Sequence, residues 1–534
     1  MLLQLRALAH HSKLRLVLAY LAGASTALAF APYALWPIYP LAMALVLIQS
    51  DTLSPKQAFY HWLSFGFGCF SVGISWIHVS IDTFGGVPLI ASLGLMALLA
   101  LYLALYPALA GLLLAKLSPK SRKLKYLLLF PAIWVLTEWA RSWVLTGFPW
   151  LWAGYSQTLS PLSPLASVIG ALGLSFVVAW LSAAIALLYL DKKSVFYRAI
   201  PLLFALILLP LTAYLSQHYS PVAQTGKEVK ITLVQGNIAQ SMKWQPEALW
   251  PTLLKYMDLS RPKFDDTDIF IWPEAAIPAP EYMVEAFLDN ANKVANLNDS
   301  AIVTGIISRP EADFYNSLIV LGNHNEAKQA QGDYRANGHN EFRKHHLLPI
   351  GEFVPLEDLL RPLAPVFNLP MSSFSRGDYY QPNLKAKGYR LAPAICYEIA
   401  FPEQLRDNVS DETDLLLTVS NDAWFGQSNG PLQHMEIAQM RAIELGRPLV
   451  RATNNGVTAI VNPQGQITAQ LPQFETGVLH ASIPLVRGET LFLKWGQWPV
   501  LLLSMSIALL AIIRKTALRV SAKTQTAQTC PVEE

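Results

Sequence analysis

Cys396 is the residue of this chain whose setting points most directly to chemistry. It closes an apolar run, Leu391-Ala392-Pro393-Ala394-Ile395, and Tyr397 and Glu398 follow at once. A thiol at the end of a buried strand, next to a turn, is where α/β enzymes place nucleophiles. Two other segments carry groups that could serve it. In DIFIWPEAAIP, Glu274 follows an apolar run and a proline. In EFRKHHLLPIGEFVP, a cationic cluster around Lys344 precedes an apolar turn and a second acid, Glu352. A thiol is a weak nucleophile until it becomes a thiolate, so it needs a base or a nearby positive charge. Glu274 fits the base if partial burial raises its carboxyl toward neutrality. Lys344 fits a stabiliser of both the thiolate and the oxyanion of a tetrahedral intermediate; one such donor is worth about 3–4 kcal/mol. The N–H of Tyr397 is the natural second donor. The expectation is a sulfur held charged between a carboxylate and an ammonium.

The same residues have blander readings. A lone cysteine at a strand end can be a small core residue, an acid after a strand a helix cap, and Lys344 part of a basic loop. Spacing alone also leaves His345 or His346 open as the partner of Cys396. No cofactor is expected: there is no Gly-rich phosphate loop, and His345-His346 has no carboxylate-rich partner motif for a metal. A nucleic-acid partner is not expected, because the polar region lacks a basic face interleaved with aromatics.

These groups need elements to hold them. Residues 229–234, 268–272, 301–307, 317–321, 390–396 and 415–420 read as strands, several of the buried, continuously apolar type. Residues 281–297 and 431–445 have helical spacing. Residues 448–453 and 457–462 flank Asn454-Asn455-Gly456, a hairpin signal because Asn-Gly accepts positive φ. Residues 322–345 read as a long polar excursion. Strands and helices alternate before the hairpins, which predicts an α/β layered domain with mixed sheets. Acid, cation and thiol would then meet at one edge of a sheet.

Around that domain the composition changes. The chain has 534 residues, 53% hydrophobic and only 14% charged, against about 25% charged in soluble domains. Apolar stretches suited to crossing a bilayer fall near 14–31, 34–49, 59–78, 86–115, 124–145, 164–190, 197–215 and 494–513. Lys and Arg sit on alternate connections: Arg6, Lys13 and Arg15; Lys56; Lys116 to Lys125; Lys192, Lys193 and Arg198; then Arg514, Lys515, Arg519 and Lys523. The connections near 32–33, 79–85 and 146–163 have none. By the positive-inside rule both termini lie inside and the polar domain outside. The first span also resembles a signal peptide, but further spans follow it. The expected organisation is a seven-span membrane domain over 1–218, an outer domain over 228–488, an eighth span over 494–513 and a polar tail over 514–534. Cys69, Cys396 and Cys530 fall in different compartments, so no structural disulfide is expected. Glu138 and Arg141 lie three apart in the fifth span, where charges are costly and often functional; a mutually neutralising pair is the alternative. The uncharged loop TGFPWLWAGYSQ carries an aromatic belt that could wall a lipid entrance.

Taken in order, WPEAAIP, RKHHLLPIGEFVP and ICYE resemble the Glu-Lys-Cys signature of the nitrilase (carbon–nitrogen hydrolase) superfamily. The preceding spans, VQGNIAQSMKW and SNDAWFG narrow the resemblance to the bacterial apolipoprotein N-acyltransferase family, over essentially the whole chain except the tail. The resemblance implies an αββα sandwich mounted on an α-helical membrane domain, in the periplasm on the inner membrane. It implies Glu274 as general base, Lys344 as oxyanion stabiliser and Cys396 as nucleophile. Glu352 and Glu398 would support the triad, and Trp244 and Tyr397 would serve activity or substrate binding. The implied partners are a phospholipid acyl donor, phosphatidylethanolamine the expected one, and a diacylglyceryl apolipoprotein acceptor. A membrane-tethered amidase or nitrilase using the same triad is the rival reading, and a non-enzymatic scaffold or transporter a weaker one.

Overall fold

The computed structural model describes residues 12–191, 195–325, 333–349, 351–353 and 374–528. Arg6, Lys192, Lys193, Cys530 and the end of the GEFVP segment lie outside them. Twelve strands in the described residues form two six-stranded sheets. The first has the order β12-β1-β2-β3-β4-β5, with β1 Ala223–Gln235, β2 Ile269–Ile271, β3 Ala301–Ser308, β4 Tyr315–Gly322, β5 Glu341–Arg343 and β12 Gly477–Arg487. The second has the order β11-β10-β9-β8-β7-β6, with β6 Leu384–Ala386, β7 Tyr389–Ile395, β8 Leu415–Ser420, β9 Leu449–Thr453, β10 Ala459–Val461 and β11 Ile467–Gln470.

Alternation along the strands explains the layers. Ile231, Leu233, Ile269, Ile271 and Val303 from one sheet share a core with Leu391, Ile395, Leu417, Val419 and Val450 from the other. The intervening residues Val234, Phe270, Ile302 and Leu321 face outward onto helices Pro246–Ser260 and Glu285–Leu297. On the other side, Ala392, Ala394, Leu416 and Leu449 pack on helix Gly430–Leu445. The result is the expected αββα sandwich.

The second outer layer is also the mount. All of helix Gly430–Leu445 except Leu432 is buried. Its Met435, Ile437 and Ala438 belong to the same apolar cluster as Trp62, Trp150, Trp152 and Ala171 of the amino-terminal helices. Gln433 accepts from Trp76 Nε1 (3.0 Å) and Trp150 Nε1 (2.9 Å) and donates to the Gly73 carbonyl (3.1 Å).

Helices Leu89–Leu117, Ser163–Leu190, Tyr197–His218 and Trp498–Leu518 are long and apolar enough to cross a membrane. Pro55–Gly73 with Ile77–Phe84 adds a fifth if that pair, bent by 56°, is one span. The other apolar stretches are helical over Ser12–Ser25, Ile38–Ser50 and, in three consecutive pieces, Arg122–Arg141. The last helix continues to Gln528, through most of the polar tail.

Two expectations are corrected. None of Asn454, Asn455 and Gly456 has positive φ. β9 and β10 do pair antiparallel, but the glycine serves close approach, since a Cβ there would lie 2.3 Å from Asp422 Oδ2. Glu138 and Arg141 form no ion pair among the described residues. Arg141 Nη1 donates to the carbonyls of Phe148 (2.8 Å) and Trp150 (2.6 Å), and Glu138 Oε1 accepts from the Ala153 amide (2.9 Å).

Helices Ser12–Ser25 and Pro55–Gly73 touch through glycine. A Cβ on Gly23 would meet the Phe65 carbonyl oxygen at 1.9 Å, and one on Gly68 the Tyr20 carbonyl oxygen at 2.1 Å. Backbones this close need small residues. Gly68→Ala should therefore destabilise the purified protein by about 1–3 kcal/mol, seen as a lowered thermal midpoint in detergent. Gly94→Ala, whose Cβ meets nothing within 4 Å, should leave that midpoint unchanged.

Candidate active site

The parallel strands β2 and β3 of one sheet, and β7, β8 and β9 of the other, end at a common edge, the usual place for sites in open α/β sheets. Glu274 follows β2, Cys396 follows β7 and Asn421 follows β8. β4 runs back antiparallel and starts at this edge with Asn316, and β5 ends beside it, so Lys344 arrives there too. The Lys344 amide donates to the Asn316 carbonyl at 2.8 Å.

Cys396 has φ 54, a left-handed conformation that costs an L-residue about 1–2 kcal/mol. It opens the short 3₁₀ helix Cys396–Ala400, whose first-turn amides have no partner within the helix. Two anchors hold this elbow. His434 Nε2 lies 2.9 Å from the Cys396 carbonyl oxygen, and Arg451 Nη2 donates to both His434 Nδ1 and Asp422 Oδ2 at 2.9 Å. Nε2 faces a carbonyl and so carries a proton, Nδ1 lies between Arg451 Nη2 and Asp422 Oδ1 (3.2 Å), and burial and Arg451 pull the His434 pKa down. Glu398 is the second anchor. Its Oε2 accepts from the Ile395 amide (2.8 Å), and its Oε1 from the amides of His345 (2.7 Å) and His346 (3.1 Å) and from Gln404 Nε2 (3.0 Å). It thereby ties the elbow to the loop carrying Lys344.

Lys344 is 1% exposed. Its ammonium lies 3.5 Å from Glu274 Oε1 and 2.8 Å from Glu352 Oε2. Asn316 Nδ2 donates to both acids, at 2.9 Å to Glu274 and 2.8 Å to Glu352, and the Asn421 amide donates to Glu274 Oε2 at 2.8 Å. These contacts overturn the expected electrostatics. Burial pushes the Glu274 carboxyl up, but the Lys344 charge, Asn316, the Asn421 amide and Lys243 together hold it below the usual carboxylate range. Burial would also discharge Lys344, but Glu352 and Glu274 outweigh it and keep the ammonium protonated. The Cys396 thiol is pushed well up by burial and then by the Glu274 charge, more than Lys344 pulls it down. At rest the pair is therefore a neutral thiol beside an ionised carboxylate, not a held thiolate. Ser420 agrees with this: its Oγ lies 3.3 Å from Cys396 Sγ and also against Asp422 Oδ1. One hydroxyl proton cannot serve both, and the carboxylate is the stronger acceptor.

The imidazoles left open by spacing are engaged elsewhere. His345 Nδ1 meets the Gly377 carbonyl (2.8 Å); His346 bonds Gln404 and stacks on Phe401 with centroids 3.8 Å apart. Trp244, 39% exposed, makes no hydrogen bond to the three groups. Tyr397 points into the helical part: its hydroxyl donates to the Gly147 carbonyl (2.9 Å), in the loop that Glu138 and Arg141 pin. Asn316, Ser420, Asp422, His434 and Lys243 were missed. Asn316 and Ser420 sit inside strand-like runs, and His434 in an ordinary helical stretch. Lys243 and Asp422 do lie in the quoted VQGNIAQSMKW and SNDAWFG segments.

The αββα sandwich, with a thiol, a carboxylate and an ammonium gathered at one edge, is the architecture of the carbon–nitrogen hydrolase class. The carbon–nitrogen hydrolase family model matches residues 230–491, and the model of the apolipoprotein N-acyltransferase N-terminal domain matches 22–184. The chain is 68% identical to an apolipoprotein N-acyltransferase of Shewanella oneidensis, over 96% of this chain and 99% of that one. It is 50% identical to the Vibrio cholerae enzyme of that name (92% and 95%) and 41% identical to that of Pseudomonas syringae (93% and 96%). The chain belongs to the apolipoprotein N-acyltransferase family of membrane-bound acyltransferases.

The charges around the sulfur make a prediction. Iodoacetamide alkylation of Cys396, followed by mass spectrometry of its peptide over a pH series, should have a midpoint above that of a free thiol. Glu274→Gln removes the negative neighbour and should lower that midpoint by about 1–3 pH units; Lys344→Met should raise it. An unmoved midpoint in Glu274→Gln would contradict the arrangement.

Proposed function

We propose that this enzyme moves a fatty acyl chain from a phospholipid to the terminal amine of a diacylglyceryl-cysteine lipoprotein, through a thioester on Cys396. Cys396 Sγ attacks the ester carbonyl carbon as its proton passes to Glu274. The developing oxyanion is met by Lys344 and the Tyr397 amide. The tetrahedral intermediate collapses, Glu274 returns the proton to the departing glycerol oxygen, and the lysophospholipid leaves. The lipoprotein α-ammonium sheds one proton to solvent, and its nitrogen attacks the thioester. Glu274 takes the remaining surplus proton and gives it to the departing sulfur. Glu352 holds Lys344 in place, Glu398 holds the elbow, and Trp244 and Tyr397 meet the lipids.

The observation that carries this reading is the bond from Tyr397, the residue after the nucleophile, to Gly147 between apolar helices. The reacting sulfur is thus built onto the part of the chain that meets lipid, and both substrates can arrive without leaving the bilayer. Exclusion of water there would protect the thioester from hydrolysis. This favours transfer over the amidase reading. The Lys and Arg pattern supports eight spans, a periplasmic catalytic domain and cytoplasmic termini. Phosphatidylethanolamine is the proposed donor.

Incubation with acyl-labelled phosphatidylethanolamine alone should add one acyl mass to intact protein, mapped to Cys396, and none to Cys396→Ala. Subsequent addition of a diacylglyceryl-cysteine peptide should discharge the label onto its amine. Intact protein that never gains the acyl mass would rule out the two-step scheme.

A further inference from the structure

We propose that Lys243 is a second cation of the active site, whose charge supports the thiolate form of Cys396; the acyl-transfer consequence rests on the reading above. Lys243 ends the short helix Gln240–Lys243 and is 1% exposed. Its Nζ donates to the main-chain carbonyl of Glu274 at 3.1 Å. Among the described residues that is its one hydrogen-bond partner, and no carboxylate oxygen lies within 4.0 Å of it. A buried ammonium facing a single neutral acceptor carries a heavy desolvation penalty. An apolar side chain would fill the same space without it, so packing alone does not account for a lysine here.

The surroundings show where the charge acts. The helix is fixed to the site by Asn421 Nδ2, which donates to Gln240 Oε1 at 2.7 Å. The preceding turn is clamped by Asn454, whose side chain accepts from the Ile238 amide (2.9 Å) and donates to its carbonyl (2.8 Å). Through that carbonyl Lys243 sits beside Glu274, and the negative forms of Glu274 and then Cys396 favour its protonated state. Beyond them stand Lys344, Glu352 and Asp422, the last already paired with Arg451. Without Lys243, the carboxyls of Glu274, Glu352 and Glu398 face the Lys344 ammonium, and negative charge opposes a thiolate. Lys243 offsets one negative charge. Moving the thiol proton to Glu274 then creates the thiolate in a site less negative by one charge.

Burial depresses Lys243 more than Glu274 and Cys396 raise it, leaving its pKa at about 8. The charge is present below that pH and lost as pH rises through it. Acyl-enzyme formation should therefore fall on the alkaline side, although thiol ionisation alone would make it rise.

The test is the alkylation series at Cys396 in full-length detergent-solubilised protein, which needs no lipid substrate and so stands apart from the acyl-transfer reading. At pH 7, where Lys243 carries its charge, Lys243→Met should slow alkylation of Cys396 by about 10–1,000-fold, and Lys243→Arg should stay near the wild-type rate. An alkylation rate at pH 7 unmoved in Lys243→Met would overturn the proposal. If Lys243→Met does not fold, wild-type protein decides: single-turnover labelling by phosphatidylethanolamine should decline above about pH 8, and a rate that climbs steadily through that range would overturn it. Absence of any labelling, with the alkylation shifts intact, would count against the acyl-transfer reading and leave the role of Lys243 standing.

Discussion

The buried ammonium of Lys344 holds two carboxylates, and the chemistry of the site follows from that one arrangement. It lies between Glu274 and Glu352, and its charge is the strongest of the influences that hold the buried Glu274 carboxyl low. Asn316 bridges the same two acids. The consequence for the sulfur is counterintuitive. A base kept ionised beside a thiol makes the thiolate less favourable at rest, while standing ready to take the proton when an electrophile arrives. On the proposed mechanism the resting enzyme is thereby spared a permanently reactive sulfur.

The second constraint is mechanical. Helix Gly430–Leu445 is shared by the sandwich and the membrane part. One face reaches Cys396 through His434 and the Cys396 carbonyl, while Gln433 joins Trp76 and Trp150. Glu436 accepts from the Ala31 amide and Glu444 from the Ala171 amide. The loop from Gly147 to Ala153 completes the connection from the other side. The Glu138 and Arg141 side chains bond three of its backbone groups, and it in turn receives Tyr397. Those two charges of helix Phe130–Arg141 are thus explained as positioning groups for a loop that receives Tyr397.

What was legible in the sequence follows from how the signals arise. β3, β7 and β8 are buried on both faces and appear as unbroken apolar runs. β5 and β6 are three-residue strands, and β11 and much of β12 are half-exposed, so their patterns fade into loop composition. Cys396 and Glu274 were legible because each follows an apolar strand, whereas Lys344 follows the inconspicuous β5 and was legible only as part of a cationic cluster before an apolar turn. Their ionisation states were not. Burial is foreseeable from a neighbouring apolar run, but the donors that reverse its effect on Glu274, Asn316 and the Asn421 amide, come from strands far away in the chain. The same holds for Tyr397, whose partner lies 250 residues earlier. Asn454-Asn455-Gly456 marked a true reversal of the chain for the wrong reason, because packing against Asp422 also demands a glycine.

The central claim is that an ionised Glu274 takes the proton from a neutral Cys396 during attack. Single-turnover formation of the acyl-enzyme in Glu274→Gln tests it most directly. The account predicts a rate about 10²–10⁴-fold below wild type, at a pH where the variant's sulfur is the more easily alkylated of the two. Acyl-enzyme formation at the wild-type rate in Glu274→Gln would contradict it.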